Sequence, residues 1–139
     1  MKCRYTGHTS RFYSVAEHCV HVSNHVHSRY ALWGLLHDAS EAYLPDVSRT
    51  IKPCLSGFVD IEYRVMGAVV RAFDLSPLFE PEQVKAVDTA ILHDEKLALM
   101  PNEPMPWGLP GTGLGVKIEC WSPVEAEVEF LRRFSRLAL

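Results

Sequence analysis

An all-α fold is predicted for this 139-residue chain. Apolar residues recur at steps of three and four along several segments, and no stretch shows the strict alternation of a half-buried strand. Two segments open with helix-start signatures, Ser14-Val15-Ala16-Glu17 and Ser122-Pro123-Val124-Glu125. The length suits one domain spanning residues 1–139, a bundle of about five main helices. At this size folding buries roughly two-thirds of the extended chain's surface, so a core can form without disulfides.

The first helix is predicted from Ser14 to about His27, started by the capping box. A second is expected from Arg29, with Ser28 as cap, to about Tyr43, where Leu44-Pro45-Asp46 breaks it. A third reads from about Phe58 to Phe73, with Val59, Tyr63, Met66, Val70 and Phe73 on one stripe. Pro81 opens a fourth that runs to about Met100, with Val84, Val87, Ile91, Leu92 and Leu99 as its buried stripe. Residues 101–115 hold four of the nine prolines and four of the eight glycines and read as a loop. Its GTGLG run resembles half a phosphate loop, but no strand precedes it and no GK[ST] follows, so a flexible surface loop is expected. The last helix should run from Ser122 to about Leu137.

Fourteen Lys and Arg stand against seventeen Asp and Glu, a formal charge of −3, so no stable nucleic-acid complex is expected. No apolar run approaches the ~18–20 residues of a membrane span. The N-terminal MKCRYTGHTSRFYSV lacks the apolar region of a secretory signal. Cys3, Cys19, Cys54 and Cys120 form no CxxC pair, which favours a reduced, cytoplasmic setting.

Histidine is the compositional outlier: seven in the chain, five of them between His18 and His37. His37-Asp38 lies in an apolar helix, where an imidazole and a carboxylate are costly unless paired or bound to metal. Glu41 falls within roughly 60° of both on a helical wheel. His18, on the preceding helix, can join His37 and Asp38 around one ion. Asp88, flanked by apolar residues on the fourth helix, is the best further carboxylate. A competing set, His18, His21 and His25, shares one helix face and could itself hold zinc; otherwise His21, His25 and His27 are expected at a surface or an interface.

The order His18 … His37-Asp38 … Asp88 resembles the H…HD…D signature of the HD-domain metal-dependent phosphohydrolases. The words GHTSRFYSVAEH, ending at His18, and LLHDASEAY, around His37-Asp38, are similar to small phage and prophage HD proteins. That branch includes a bacterial 5′-deoxynucleotidase and a phage dATP triphosphohydrolase. The resemblance covers about Gly7 to Met100. It implies one divalent transition metal (Mn, Co, Fe, Ni or Zn) held by His18, His37, Asp38 and Asp88. It also implies catalytic roles for Glu41 and Asp46 and contacts of Arg11, Lys52 and Lys85 with substrate phosphates.

On this resemblance the expected activity is hydrolysis at the α-phosphorus of a deoxynucleotide, with dATP giving deoxyadenosine and triphosphate as the first expectation. A 5′-deoxynucleotidase acting on dNMPs is the alternative enzyme. A non-catalytic, metal-stabilised helical module is the alternative from another class. The resemblance also implies a homo-oligomer, a dimer or a hexamer, in the cytoplasm, that of the host if the chain is phage-encoded.

Overall fold

Helix α1 (Val15–His25) starts where the Ser14 hydroxyl oxygen accepts the Glu17 amide at 3.0 Å. It lies at the centre of the fold, buried on nearly every side from Ala16 to Ser23. Around it stand α2 (Ala31–Leu36), α3 (Phe58–Ala72), α4 (Glu82–Leu99) and α5 (Pro123–Leu137). The computed structural model describes residues 2–45, 47, 51–100, 102 and 104–138. Among these the fold is an all-α bundle of five α-helices, as the apolar spacing predicts.

The second helix differs from its prediction. It is one and a half turns of α-helix, Ala31–Leu36, flanked by 3-10 turns at Ser28–Tyr30 and Ala39–Ala42. His37 Nδ1 donates to the Gly34 carbonyl at 2.8 Å, the acceptor that an uninterrupted helix would give to the Asp38 amide. The polar pair thus ends the helix that carries it. The start of this segment is capped by His27, whose Nδ1 accepts the Arg29 amide at 3.3 Å, and not by Ser28. Gly34 lets α1 and α2 approach closely: a Cβ there would stand 3.1 Å from Ser23 Cα and 3.2 Å from Ser23 N.

The main core joins Val22 and Val26 of α1, Trp33 and Leu36 of α2, Val69 and Val70 of α3, and Val84, Val87 and Ile91 of α4. The predicted stripe of α4 is buried throughout. That of α3 is buried only at Val70, with Met66 partly so: Val59, Tyr63 and Phe73 keep 53%, 63% and 42% of their surface, because α3 meets the core chiefly through Val69 and Val70. Helix α5 closes the side of α1 that carries Cys19 and Val20, through Phe130, Phe134 and Leu137. Its start is a complete capping box of Ser122 and Glu125 with Pro123 at the first position. Arg133 of α5 donates to Ser23 Oγ at 3.0 Å and to its carbonyl at 2.9 Å.

Two carboxylates tie down the C-terminal connection. Glu17 is fully buried and accepts the backbone amides of Glu119, Cys120 and Trp121 at 2.7–2.9 Å. Cys120 adopts φ +60°, which turns successive amides toward one acceptor. The glycine-rich run is anchored as well: Leu114 and Gly115 amides donate to Asp94 of α4 at 2.7 and 3.1 Å. A Cβ at Gly113 would meet Asp94 Oδ1 at 2.7 Å, so a side chain there would displace the anchoring carboxylate. The amides that look suited to a phosphate hold the protein's own carboxylate.

Candidate metal centre

His18 projects from α1, His37 and Asp38 from the end of α2, and Asp88 from α4. Packing of those helices brings all four side chains together. His18 Nε2 lies 3.2 Å from His37 Nε2, 3.7 Å from Asp38 Oδ2 and 3.2 Å from Asp88 Oδ1. His37 Nε2 lies 3.4 Å from Asp38 Oδ2 and 3.8 Å from Asp88 Oδ1. Both imidazoles are buried, and the carboxylates are partly so.

Each imidazole is fixed through its other nitrogen. His18 Nδ1 donates to Glu95 Oε1 at 2.6 Å, and His37 Nδ1 to the Gly34 carbonyl. In its neutral form each ring therefore presents the Nε2 lone pair to the cluster. Nitrogen and oxygen donors about 2.0–2.1 Å from a shared ion stand roughly 3–3.5 Å from one another in a tetrahedral arrangement. The spacings among His18, His37 and Asp38, 3.2–3.7 Å, suit a shared ion, and these three form a group that can hold one; Asp88 approaches it through the two imidazoles. A mixed set of two imidazoles and two carboxylates suits first-row transition ions.

A second set of polar groups surrounds the first, and sequence reasoning missed it. Arg4 Nη1 donates to Asp38 Oδ2 at 3.0 Å, and its Nε lies 3.5 Å from Glu95 Oε2. Tyr13 donates to Glu95 Oε1 at 2.8 Å, and Tyr5 to Glu95 Oε2. Glu95 carried a legible signal: it falls seven residues after Asp88, inside the apolar stripe of Ile91, Leu92 and Leu99. Arg4 and Tyr5 had none. They sit in an N-terminal turn with no periodicity, docked by Arg4 N→Tyr13 O (2.9 Å) and Val15 N→Lys2 O (3.1 Å). Tyr5 and Thr6 take left-handed φ values of 55° and 51°, costing ~1 kcal/mol or more each; the buried contacts of Tyr5 and Arg4 offset that strain.

The electrostatics follow from this crowding. Burial disfavours charge on Asp88, but hydrogen bonds from His18 and His37 override it and hold its carboxyl well below the usual range. Burial likewise opposes ionisation of Asp38, and the charges of His37, Arg4 and His18 reverse the balance. Glu95 is lowered to about 2, because Arg4 and His18 outweigh its burial. Burial and the Glu95 charge push Tyr5 and Tyr13 up, so both keep the protons they donate. On His37 burial opposes charge, but Asp38 overrides it and raises the pKa.

The remaining predicted residues divide. Glu41 lies in the 3-10 turn directly after Asp38, with Oε2 buried. Asp46 lies outside the described residues. Lys85 is exposed one helical turn before Asp88. Lys52 pairs with Glu62 of α3 at 2.8 and 3.0 Å. Arg11 is exposed, and its charge acts on Cys120, away from the four ligands. The competing histidine trio is not assembled. His21, expected at a surface, is buried, stacks on Trp121 with centroids 5.6 Å apart and lies 3.6 Å from Glu17; His25 Nδ1 donates to the His21 carbonyl at 2.8 Å. Among the described residues no helix is long and apolar enough to cross a membrane.

No protein-family model matches the chain. The uncharacterized protein YfdR of Escherichia coli K12 is 32% identical to it over 140 residues, an alignment that takes in 98% of this chain and 78% of YfdR. At that identity over nearly the whole chain, this protein belongs to the same family as YfdR.

Proposed function

We propose that this protein is an HD-type, metal-dependent phosphohydrolase that cleaves deoxynucleotides at the α-phosphorus, with dATP as the first substrate to test. One observation carries the reading: two imidazole Nε2 atoms lie 3.2 Å apart, and a carboxylate from each of Asp38 and Asp88 lies 3.2–3.8 Å from both, each ring locked by a partner behind it. A purely structural site would gain nothing from a further acid in the turn directly after Asp38, yet Glu41, half-buried, supplies one.

A divalent transition ion held by His18, His37, Asp38 and Asp88 would supply Lewis acidity to the phosphate and acidify a water. The chain's own residues do the rest. Asp38 and Asp88 offset the ion's two charges. Glu41 takes the proton of the attacking water, whose oxygen bonds to the α-phosphorus as the bond to the 5′ oxygen breaks. The departing 5′ oxygen takes up a proton, the role this reading gives to Asp46. Lys85, Arg11 and Lys52 (the last after exchanging Glu62 for substrate) offset phosphate charge. A dNTP yields triphosphate and a dNMP yields phosphate by the same bond cleavage.

The test is product analysis of all dNTPs, NTPs and dNMPs with protein loaded in parallel with Mn, Co and Zn. The expected result is deoxynucleoside release from at least one substrate, lost together with bound metal in Asp38→Ala. Metal binding with no hydrolysis of any nucleotide would make this a non-catalytic helical module instead. Light scattering of the same preparations tests the expected dimer or hexamer.

A further inference from the structure

A cavity of about 710 Å³ opens between the turn joining α1 to α2 and the segment leading into α4. That volume is typical of small-molecule sites, which span roughly 300–1,000 Å³. Its walls offer flat faces. The Arg29 guanidinium lies over the Tyr30 ring, 4.4 Å from the centroid, and Phe79 lines the same space while keeping 66% of its surface exposed. Two residues before Phe79 the segment is anchored, where Trp33 Nε1 donates to the Pro77 carbonyl at 2.8 Å.

The cavity also offers oriented polar groups. Gln83 Oε1 accepts the His27 amide at 2.9 Å, which fixes the side-chain amide and leaves the Nε2 hydrogens to donate elsewhere. The charged lining is Arg29 against Glu80 and Glu82. That balance is unfavourable for a phosphate and compatible with an uncharged ligand. Pro81, Glu82 and Gln83 of the lining lead into α4, the helix that carries Lys85 and Asp88, and the charges of His37, Asp88, Asp38 and Lys85 reach Glu80.

We propose that the cavity binds the nucleoside half of the substrate. The nucleobase stacks between Phe79 and the Arg29 guanidinium. Gln83 Nε2 donates to a ring nitrogen or carbonyl of the base. Glu80, at the border, accepts a hydroxyl of the sugar, and the phosphate lies beyond it toward Lys85 and the four ligands. Stacking on rings and guanidinium planes is the usual way an uncharged base gains affinity. This assignment rests on the phosphohydrolase reading but makes a binding claim that needs no turnover.

The experiment is calorimetric titration of the full chain with the four deoxynucleosides, and with 2-deoxyribose as a base-free control. At least one deoxynucleoside should bind and 2-deoxyribose should not. Phe79→Ala and Arg29→Ala should weaken binding about tenfold or more, and Lys117→Ala, an exposed residue outside the cavity lining, should leave it within twofold. Both varied side chains are exposed, and circular dichroism checks that the variants keep their helices. No binding at millimolar nucleoside, or equal affinity in wild type and both variants, overturns the proposal. Nucleoside binding without phosphate release from any nucleotide overturns the phosphohydrolase reading and leaves the cavity assignment standing.

Discussion

Three glutamates show how differently one residue type can be used. Glu41 sits beside the ligands, Glu95 stands behind one of them, and Glu17 faces away to hold backbone. Glu95 fixes the His18 ring through Nδ1 and is itself held by Arg4, Tyr5 and Tyr13. Glu95→Gln keeps the shape and removes the charge that orients His18. Metal affinity should then fall roughly 10–100-fold, read by competition with a chromogenic chelator. Unchanged affinity would show that the carboxylate does not set the ring. Glu17→Gln tests the opposite role. Its carboxylate accepts three backbone amides in a buried setting, and a neutral amide replaces charged hydrogen bonds by weaker ones. The expected cost is about 2 kcal/mol of unfolding free energy in urea, with metal affinity unaltered. A Glu17→Gln protein as stable as wild type would mean that those amides find equal partners elsewhere.

Elements were legible to the extent that their ends are set locally. The starts of α1 and α5 follow from Ser14 and Ser122, and α3 and α4 follow from apolar spacing. The shortness of α2 was not legible, because His37 ends that helix only where its ring turns to Gly34 to serve the cluster. Helix α5 allows a pH test. The Ser122 hydroxyl and amide donate to Glu125 and hold its carboxyl below the ordinary value. A lowered folded pKa means that the contribution is complete above the unfolded value, near 4.3, and is lost as pH falls through the folded one. The melting temperature of Glu125→Ala should therefore lie below wild type at pH 7, and the gap should close below about pH 4. A gap of constant size from pH 7 to pH 3 would remove the charge from the explanation. Gly34 tests the contact between elements. An added methyl meets the Ser23 backbone, and Ser23 is held by Ala31 and Arg133. It has little room to yield, so Gly34→Ala should cost about 1–3 kcal/mol by urea unfolding.

At the scale of the whole molecule the cluster of His18, His37, Asp38 and Asp88 was legible because each stands out against an apolar helix, whereas Arg4 and Tyr5 come from a turn whose place only the tertiary fold decides. The consequence is that the candidate centre joins α1, α2 and α4, and reaches through Arg4 to the N-terminal turn. An ion bound there links three helices that the unfolded chain leaves apart. Binding to the native state alone then adds about 2.7 kcal/mol at a metal concentration of 100 times Kd, which for a chain of this length is on the order of 10 °C in Tm. Mn, Co or Zn should therefore raise the Tm of wild type by about that amount, and a chelator should reverse it. Asp88→Ala, which removes the only α4 ligand of the set, should lose most of the shift while Lys85→Ala keeps it. Equal shifts in wild type and Asp88→Ala would place the ion elsewhere in the molecule, and with it the chemistry assigned to this cluster.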